Sequence, residues 1–220
     1  MSIFVEDNLS LPVADDEVYL FPASFAQQRL WFIDQLAPRN PVYNIVRAYS
    51  LRGPLDMKML TRSINTLIER HESLRTTFVL VEDSLQQAIL PKLAFQFQTK
   101  LPEDSLDSSG TFIDLRHLPL AEREMVRQQC LSQAAHYPFD LTRAPLFRLL
   151  VIQHDERGYT FLINIHHIIA DGQTLNIFFN EFSTLYDSYL TRGEGAPHPL
   201  PALPLQYADF SQWQHQQWET

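Results

Sequence analysis

Phe161-Leu162-Ile163-Asn164-Ile165-His166-His167-Ile168-Ile169-Ala170-Asp171-Gly172 is the stretch on which the fold of this chain turns. Its first five residues are β-rich and free of Gly and Pro, so they predict a strand that ends on the two histidines. Downstream, Leu175, Phe178, Phe179, Phe182, Leu185, Tyr186 and Tyr189 recur at three- and four-residue intervals. That stripe spans about four turns and predicts a helix over 172–190, opened by Asp171 and Gly172. Successive strand side chains face opposite ways, so one imidazole is expected in the packing and the other at an opening. Two such neighbours cannot easily chelate one metal ion. The N–H groups that begin the helix lack intrahelical partners and carry partial positive charge, which favours negative charge developing beside them.

Upstream, the Ser24-Phe25-Ala26-Gln27 segment has the form of a capping box, predicting a helix through Arg29 and Trp31 to about Leu36. Residues 45–51 alternate like a strand, and Leu60, Ile64, Leu67 and Ile68 mark a helix leading to Arg70. Residues 74–81 are β-rich, with shorter strands expected over 86–90 and 95–98, a loop over 102–110 and a helix over 121–137. Residues 146–153 and 159–165 form a predicted hairpin whose second arm delivers His166 and His167. The Pro- and Gly-rich stretch 191–204 reads as an extended surface connector, and 207–218 as a last helix. Residues 1–18 are acidic and weakly patterned, a mobile lead-in. Strands interspersed with long helices favour an α/β sandwich.

The 220 residues carry a net charge of −9 with no basic run, which argues against nucleic acid or an anionic membrane as partner. A hydrophobic share of 45% and an aromatic share of 12% suit a globular protein able to bury a sizeable core. The one cysteine, Cys130, lies in a helical pattern and reads as a core thiol, and a reducing compartment follows. No basic leader and no apolar run of membrane-spanning length is seen, so the expected location is cytoplasmic.

Taken alone, two histidines near an aspartate also fit satisfied core side chains. The strand-to-helix position favours function, because such ends face ligands in open α/β sheets. No glycine forms a Gly-x-Ser-x-Gly elbow, which speaks against a serine hydrolase. Gly193-Glu194-Gly195 lies in the connector and not between strand and helix, so it does not read as a phosphate cradle. Asp83-Ser84-Leu85 and Asp104-Ser105-Leu106 read as ordinary turns. No metal site is expected, since the remaining histidines show no second pair at ligand spacing. Arg70-His71-Glu72-Ser73-Leu74-Arg75-Thr76-Thr77-Phe78 puts two arginines at a helix-to-strand transition. It reads either as a solvated helix end or, more sharply, as the place where Arg75 meets a carboxylate bidentately.

Four segments in order resemble the condensation domains of nonribosomal peptide synthetases. These are 24–32, 70–78, the His-His-x-x-x-Asp-Gly heptapeptide at 166–172, and 207–213 with Tyr207 and Asp209. The resemblance, which covers the chain from about residue 19 to its end, implies a fold of two halves, each similar to chloramphenicol acetyltransferase, a mixed sheet with flanking helices. This chain would supply the N-terminal half, 19–220, and a C-terminal subdomain would be missing. It implies amide formation between substrates carried as thioesters on phosphopantetheine arms of an upstream donor and a downstream acceptor carrier protein, with no covalently bound cofactor. His167 would face the reaction, Gly172 would offer its N–H to an oxyanion, His166 would support the site, and Asp171 would turn away to pair with Arg75. Ser24, Gln27, Arg29, Trp31, Arg70, His71, Tyr207 and Asp209 are carried over as motif positions. Two alternatives stand beside this: a noncatalytic module that binds carrier proteins, and an epimerisation domain. Gln173-Thr174-Leu175 departs from the Val-Ser-Trp usual in the latter.

Overall fold

The computed structural model describes residues 18–104, 108–193 and 195–218. All but the last residue of the lead-in expected over 1–18 lies outside them, as does part of the loop expected over 102–110. The elements are β1 (Tyr19–Pro22), α1 (Phe25–Leu36), β2 (Asn44–Arg52), α2 (Met57–Arg70), β3 (Thr76–Val81), β4 (Ser84–Ile89), β5 (Gln98–Thr99), β6 (Gly110–Asp114), α3 (Leu120–Ala135), β7 (Phe147–Gln153), β8 (Gly158–His166), α4 (Gly172–Arg192) and α5 (Tyr207–Trp218). They form a five-stranded sheet in the order β2-β8-β7-β6-β5 and a three-stranded sheet in the order β1-β4-β3.

The larger sheet is mixed. β8 pairs antiparallel with both β2 and β7, while β6 runs parallel to β7 and is joined to it through α3. Every residue of β8 is buried, because helices cover both faces. Phe161, Ile163 and Ile165 pack with Leu60, Ile64 and Leu67 of α2 and with Leu175, Phe178 and Leu185 of α4. Leu162, on the opposite face, packs with Leu150, Ile152 and with Cys130 and Ala134 of α3. The stripe predicted on α4 therefore forms its core face, Phe178 and Phe182 stacking with their planes 5° apart. Gly193, at φ 84°, ends α4 in a backbone region that disfavours side chains, so the helix runs two residues into the expected connector.

Two departures have local causes. The strand expected over 95–98 is reduced to the two residues of β5. Phe95 turns into the core instead, and Asn65 of α2 takes its backbone, accepting from Phe95 N at 3.0 Å and donating to Phe95 O at 2.9 Å. β6 begins at the end of a stretch read as loop. Gly110 opens it because a Cβ there would come within 2.5 Å of the Phe95 ring and 2.7 Å of the Gln96 carbonyl.

Candidate active site

The ladder between β2 and β8 ends at Asn44 opposite His166, and one more bond follows it, from His167 N to Tyr43 O at 2.9 Å. Strand geometry thus persists through both histidines and alternation separates them. His166 is 3% exposed and has Phe139 edge-on at 6.2 Å, whereas His167 is exposed. The chain then turns sharply. His166 Nδ1 accepts the Ile168 N–H at 3.1 Å and His166 O accepts that of Ile169 at 3.1 Å, while the side chains of Ile168 and Ile169 are buried. Nδ1 can accept only while unprotonated. Burial, with the neighbouring His167 charge adding to it, pushes the His166 pKa down to about 4, so the imidazole is neutral near pH 7.

Asp171 is the N-cap of α4. Its Oδ1 accepts from Thr174 N and from Thr174 Oγ, both at 2.8 Å, and Thr174 Oγ accepts in return from Asp171 N at 3.0 Å. These bonds hold the carboxyl below its ordinary range. The expected pairing of Asp171 with Arg75 is therefore corrected: a cap partner three residues away satisfies the carboxylate locally. Arg75 instead donates to the Leu90 carbonyl and lies 3.5 Å from Glu72.

The bidentate arginine of that motif is Arg70. Its guanidinium grips Glu181 of α4 through Nε at 3.0 Å and Nη2 at 3.1 Å, and His71 Nε2 lies 2.7 Å from the same carboxylate. Burial pushes the Glu181 pKa up, but Arg70 and His71 more than offset it and the carboxyl stays below its usual value. Glu181 was not legible as a site residue, since nothing in its helical neighbourhood marks it and its partner lies 111 positions away.

The first motif lies directly behind the turn. Ser24 caps α1 with the expected capping box, and Gln27 is buried. Gln27 Nε2 reaches the Ile168 carbonyl at 3.3 Å. Trp31 is half-buried with its ring centroid 6.4 Å from that of Phe78, and Arg29 is exposed. Tyr207 OH lies 2.9 Å from Ser24 Oγ, and Asp209 accepts from Gln206 N at 2.7 Å at the start of α5. Gly172, the first residue of α4, is exposed, and a Cβ there would meet nothing within 4 Å. A separate cleft of about 530 Å³, lined by Tyr49, Arg123, Arg127 and Thr160 among others, opens toward the other end of β8, away from the histidines.

A mixed α/β sheet that delivers one buried and one exposed histidine to the start of a capped helix defines the class of this protein. The chain belongs to the condensation-domain family of nonribosomal peptide synthetases, whose model, described as "Condensation domain", matches residues 18–220. It is 40% identical over 195 residues to one polypeptide of the linear gramicidin synthase of Brevibacillus parabrevis, covering 89% of this chain and 2% of that protein. It is 38% identical over 206 residues to chondramide synthase cmdD of Chondromyces crocatus, covering 94% of this chain and 5% of that protein. Among solved structures, the starter condensation domain of rhizomide synthetase RzmA shares the fold with a TM-score of 0.74 at 20% identity, over 92% of this chain and 44% of that one. The chain thus spans a small part of the synthetases it matches and under half of the solved domain. Among the described residues no helix is long and apolar enough to cross a membrane.

Proposed function

We propose that this chain supplies the histidine-bearing wall of a site that joins two carrier-bound thioester substrates by an amide bond. The observation that carries the reading is His167, exposed directly beyond a fully buried strand and five residues before a helix N-terminus. An α-amine has a pKa of roughly 8, so part of the acceptor is already neutral near pH 7 and attack needs no strong base. Attack forms the C–N bond, leaves negative charge on the carbonyl oxygen and positive charge on the nitrogen. His167 accepts the nitrogen's proton or holds the amine in line, and the Gly172 N–H stabilises the oxyanion until the C–S bond breaks and the pantetheine thiol leaves.

Donor and acceptor carrier proteins are the partners in this reading, their phosphopantetheine arms entering the site in a cytoplasmic synthetase. The opposing wall comes from a C-terminal subdomain, an assignment supported by the 44% of the solved domain that this chain spans. One second reading stands beside it, carrier binding without turnover. In a synthetase polypeptide carrying this domain, His167→Ala is expected to lower dipeptidyl product formation by about 10²- to 10⁴-fold with the fold retained. Gly172→Ala keeps the N–H and tests whether substrate lies against the helix start. Its side chain meets no protein atom, so folded stability should hold or rise slightly while turnover falls as the methyl obstructs the substrate. Wild-type product rates in the His167 variant, read by mass spectrometry, would leave only the binding role.

A further inference from the structure

Gln27 is a primary amide sealed in an apolar interior at 3% exposure, with both its oxygen and its nitrogen engaged. Its Oε1 accepts from Ser24 N at 2.9 Å, which turns Nε2 the other way. Nε2 donates to Gln87 Oε1 at 3.2 Å and to the Ile168 carbonyl at 3.3 Å. Gln87, 2% exposed, is itself oriented by its donation to Pro22 O at 3.1 Å. The two amides therefore form a directed chain from β1 through β4 and α1 to the turn after β8, and neither can flip without leaving a buried donor facing a donor.

His167 sits between two tethers. Its own N–H is held by Tyr43 O on one side, and the carbonyl of the next residue, Ile168, is held by Gln27 on the other. Packing of Ile168 and Ile169 buries the turn but does not by itself set the rotation of the peptide planes; directional bonds do, and the Ile168–Ile169 peptide is held at both ends, its N–H by His166 O and its carbonyl by Gln27. A leucine at position 27 would fill the space and leave only the N–H end held. We infer that Gln27 is a positioning residue: its amide holds the Ile168–Ile169 peptide, one peptide beyond His167, and thereby the direction in which the exposed imidazole is presented. Ser24 and Tyr207 brace this hub from the far side, since the Ser24 hydroxyl that caps Gln27 N at 3.3 Å also meets Tyr207 OH at 2.9 Å.

The inference rests on the reading of His167 as the residue that meets substrate, but its first test does not need turnover. In the ¹⁵N-labelled 220-residue chain, Gln27→Met keeps the volume and removes the donors. Expected are shifted imidazole signals of His166 and His167 and faster hydrogen exchange at Ile168 and Ile169. The control is Thr77→Val in β3, which removes a buried hydroxyl that donates to Ala88 O of β4 at 3.3 Å and should lower stability without moving those signals. If Gln27→Met does not fold, Gln27→Glu, which keeps the acceptor for Ser24 N–H, reads the same resonances. In the synthetase, kcat should fall by roughly 10- to 100-fold with KM unchanged, the signature of a misplaced group rather than a lost binding contact. Histidine signals and kcat that match the Thr77→Val control overturn the inference. Moved signals together with a His167→Ala variant of full activity support the positioning role and defeat the catalytic reading of His167.

Discussion

The two histidines differ by one residue in sequence and by a face of the sheet in space. That separation was legible from alternation alone, because a one-residue step along a strand exchanges buried for open. Its energetic consequence belongs to His166. The unfolded chain binds a proton there at the ordinary value of 6.5, whereas the folded chain does not until pH falls to about 4. The unfolded state therefore holds more protons in between, and stability present above about 6.5 is lost as pH falls through that window, by roughly 3 kcal/mol at most. His166→Asn keeps an acceptor near the Nδ1 position and removes the titration. Chemical denaturation of this variant across that pH range should give a flatter stability curve than wild type, and parallel curves would show that His166 is not the titrating group. Asp171 was misread at this same scale. Asp-Gly-Gln-Thr is a local capping sequence, and a helix start that can satisfy its N-cap within three residues has no need of a distant arginine.

Between elements, the second motif joins α2 to α4. The sequence reading placed an arginine–carboxylate clamp in 70–78 but chose Arg75 with Asp171 where the structure has Arg70 with Glu181, because a partner 111 positions away leaves no periodic trace. Arg70 closes α2 while Arg75 follows in a 3-10 turn, and only Arg70 lies across from Glu181 on the neighbouring helix. The side chains of Arg70 and Glu181 are only 9% and 15% exposed, so removing either partner strands a charge in a desolvated place. Arg70→Met and Glu181→Gln should each cost about 3–5 kcal/mol, with the double variant well short of their sum. Additive losses in denaturant melts would mean that the two side chains stabilise the protein separately. The long elements were legible because α2 and α4 each repeat one period over many residues and β7 and β8 are unbroken β-rich runs. β5 was overestimated and β6 missed for the converse reason: short strands carry too few positions to show alternation, and their place is decided by tertiary partners such as Asn65 and the ring of Phe95.

Over the whole molecule, burial is uneven. The interior between α2, α4 and the large sheet is densely aromatic, yet α5 leaves Phe210, Trp213 and Trp218 at 45%, 55% and 78% exposure, and α1 leaves Phe32 and Leu36 open as well. The two helices meet through Phe25, which lies edge-on to Trp218 at 6.0 Å and to His215 at 4.9 Å, and whose N–H donates to Gln214 at 3.0 Å. A contiguous apolar surface beyond a few hundred Å² is uncommon on a protein that stays monomeric. The 220-residue chain on its own is therefore expected to self-associate as concentration rises, and Phe210→Ser with Trp213→Ser should reverse this with only a modest fall in melting temperature, since both side chains are already about half solvated. Activity should be lost for a related reason. His167 alone looks onto water, which weakens each electrostatic contribution to a transition state and lets both substrates drift from line. Sedimentation velocity over a concentration series, run beside a product assay with both carrier-bound thioesters, tests both expectations. A monomer at every concentration would sink the first. Product at the rate of an intact synthetase would sink the second and show that copies of this chain complete the site for one another.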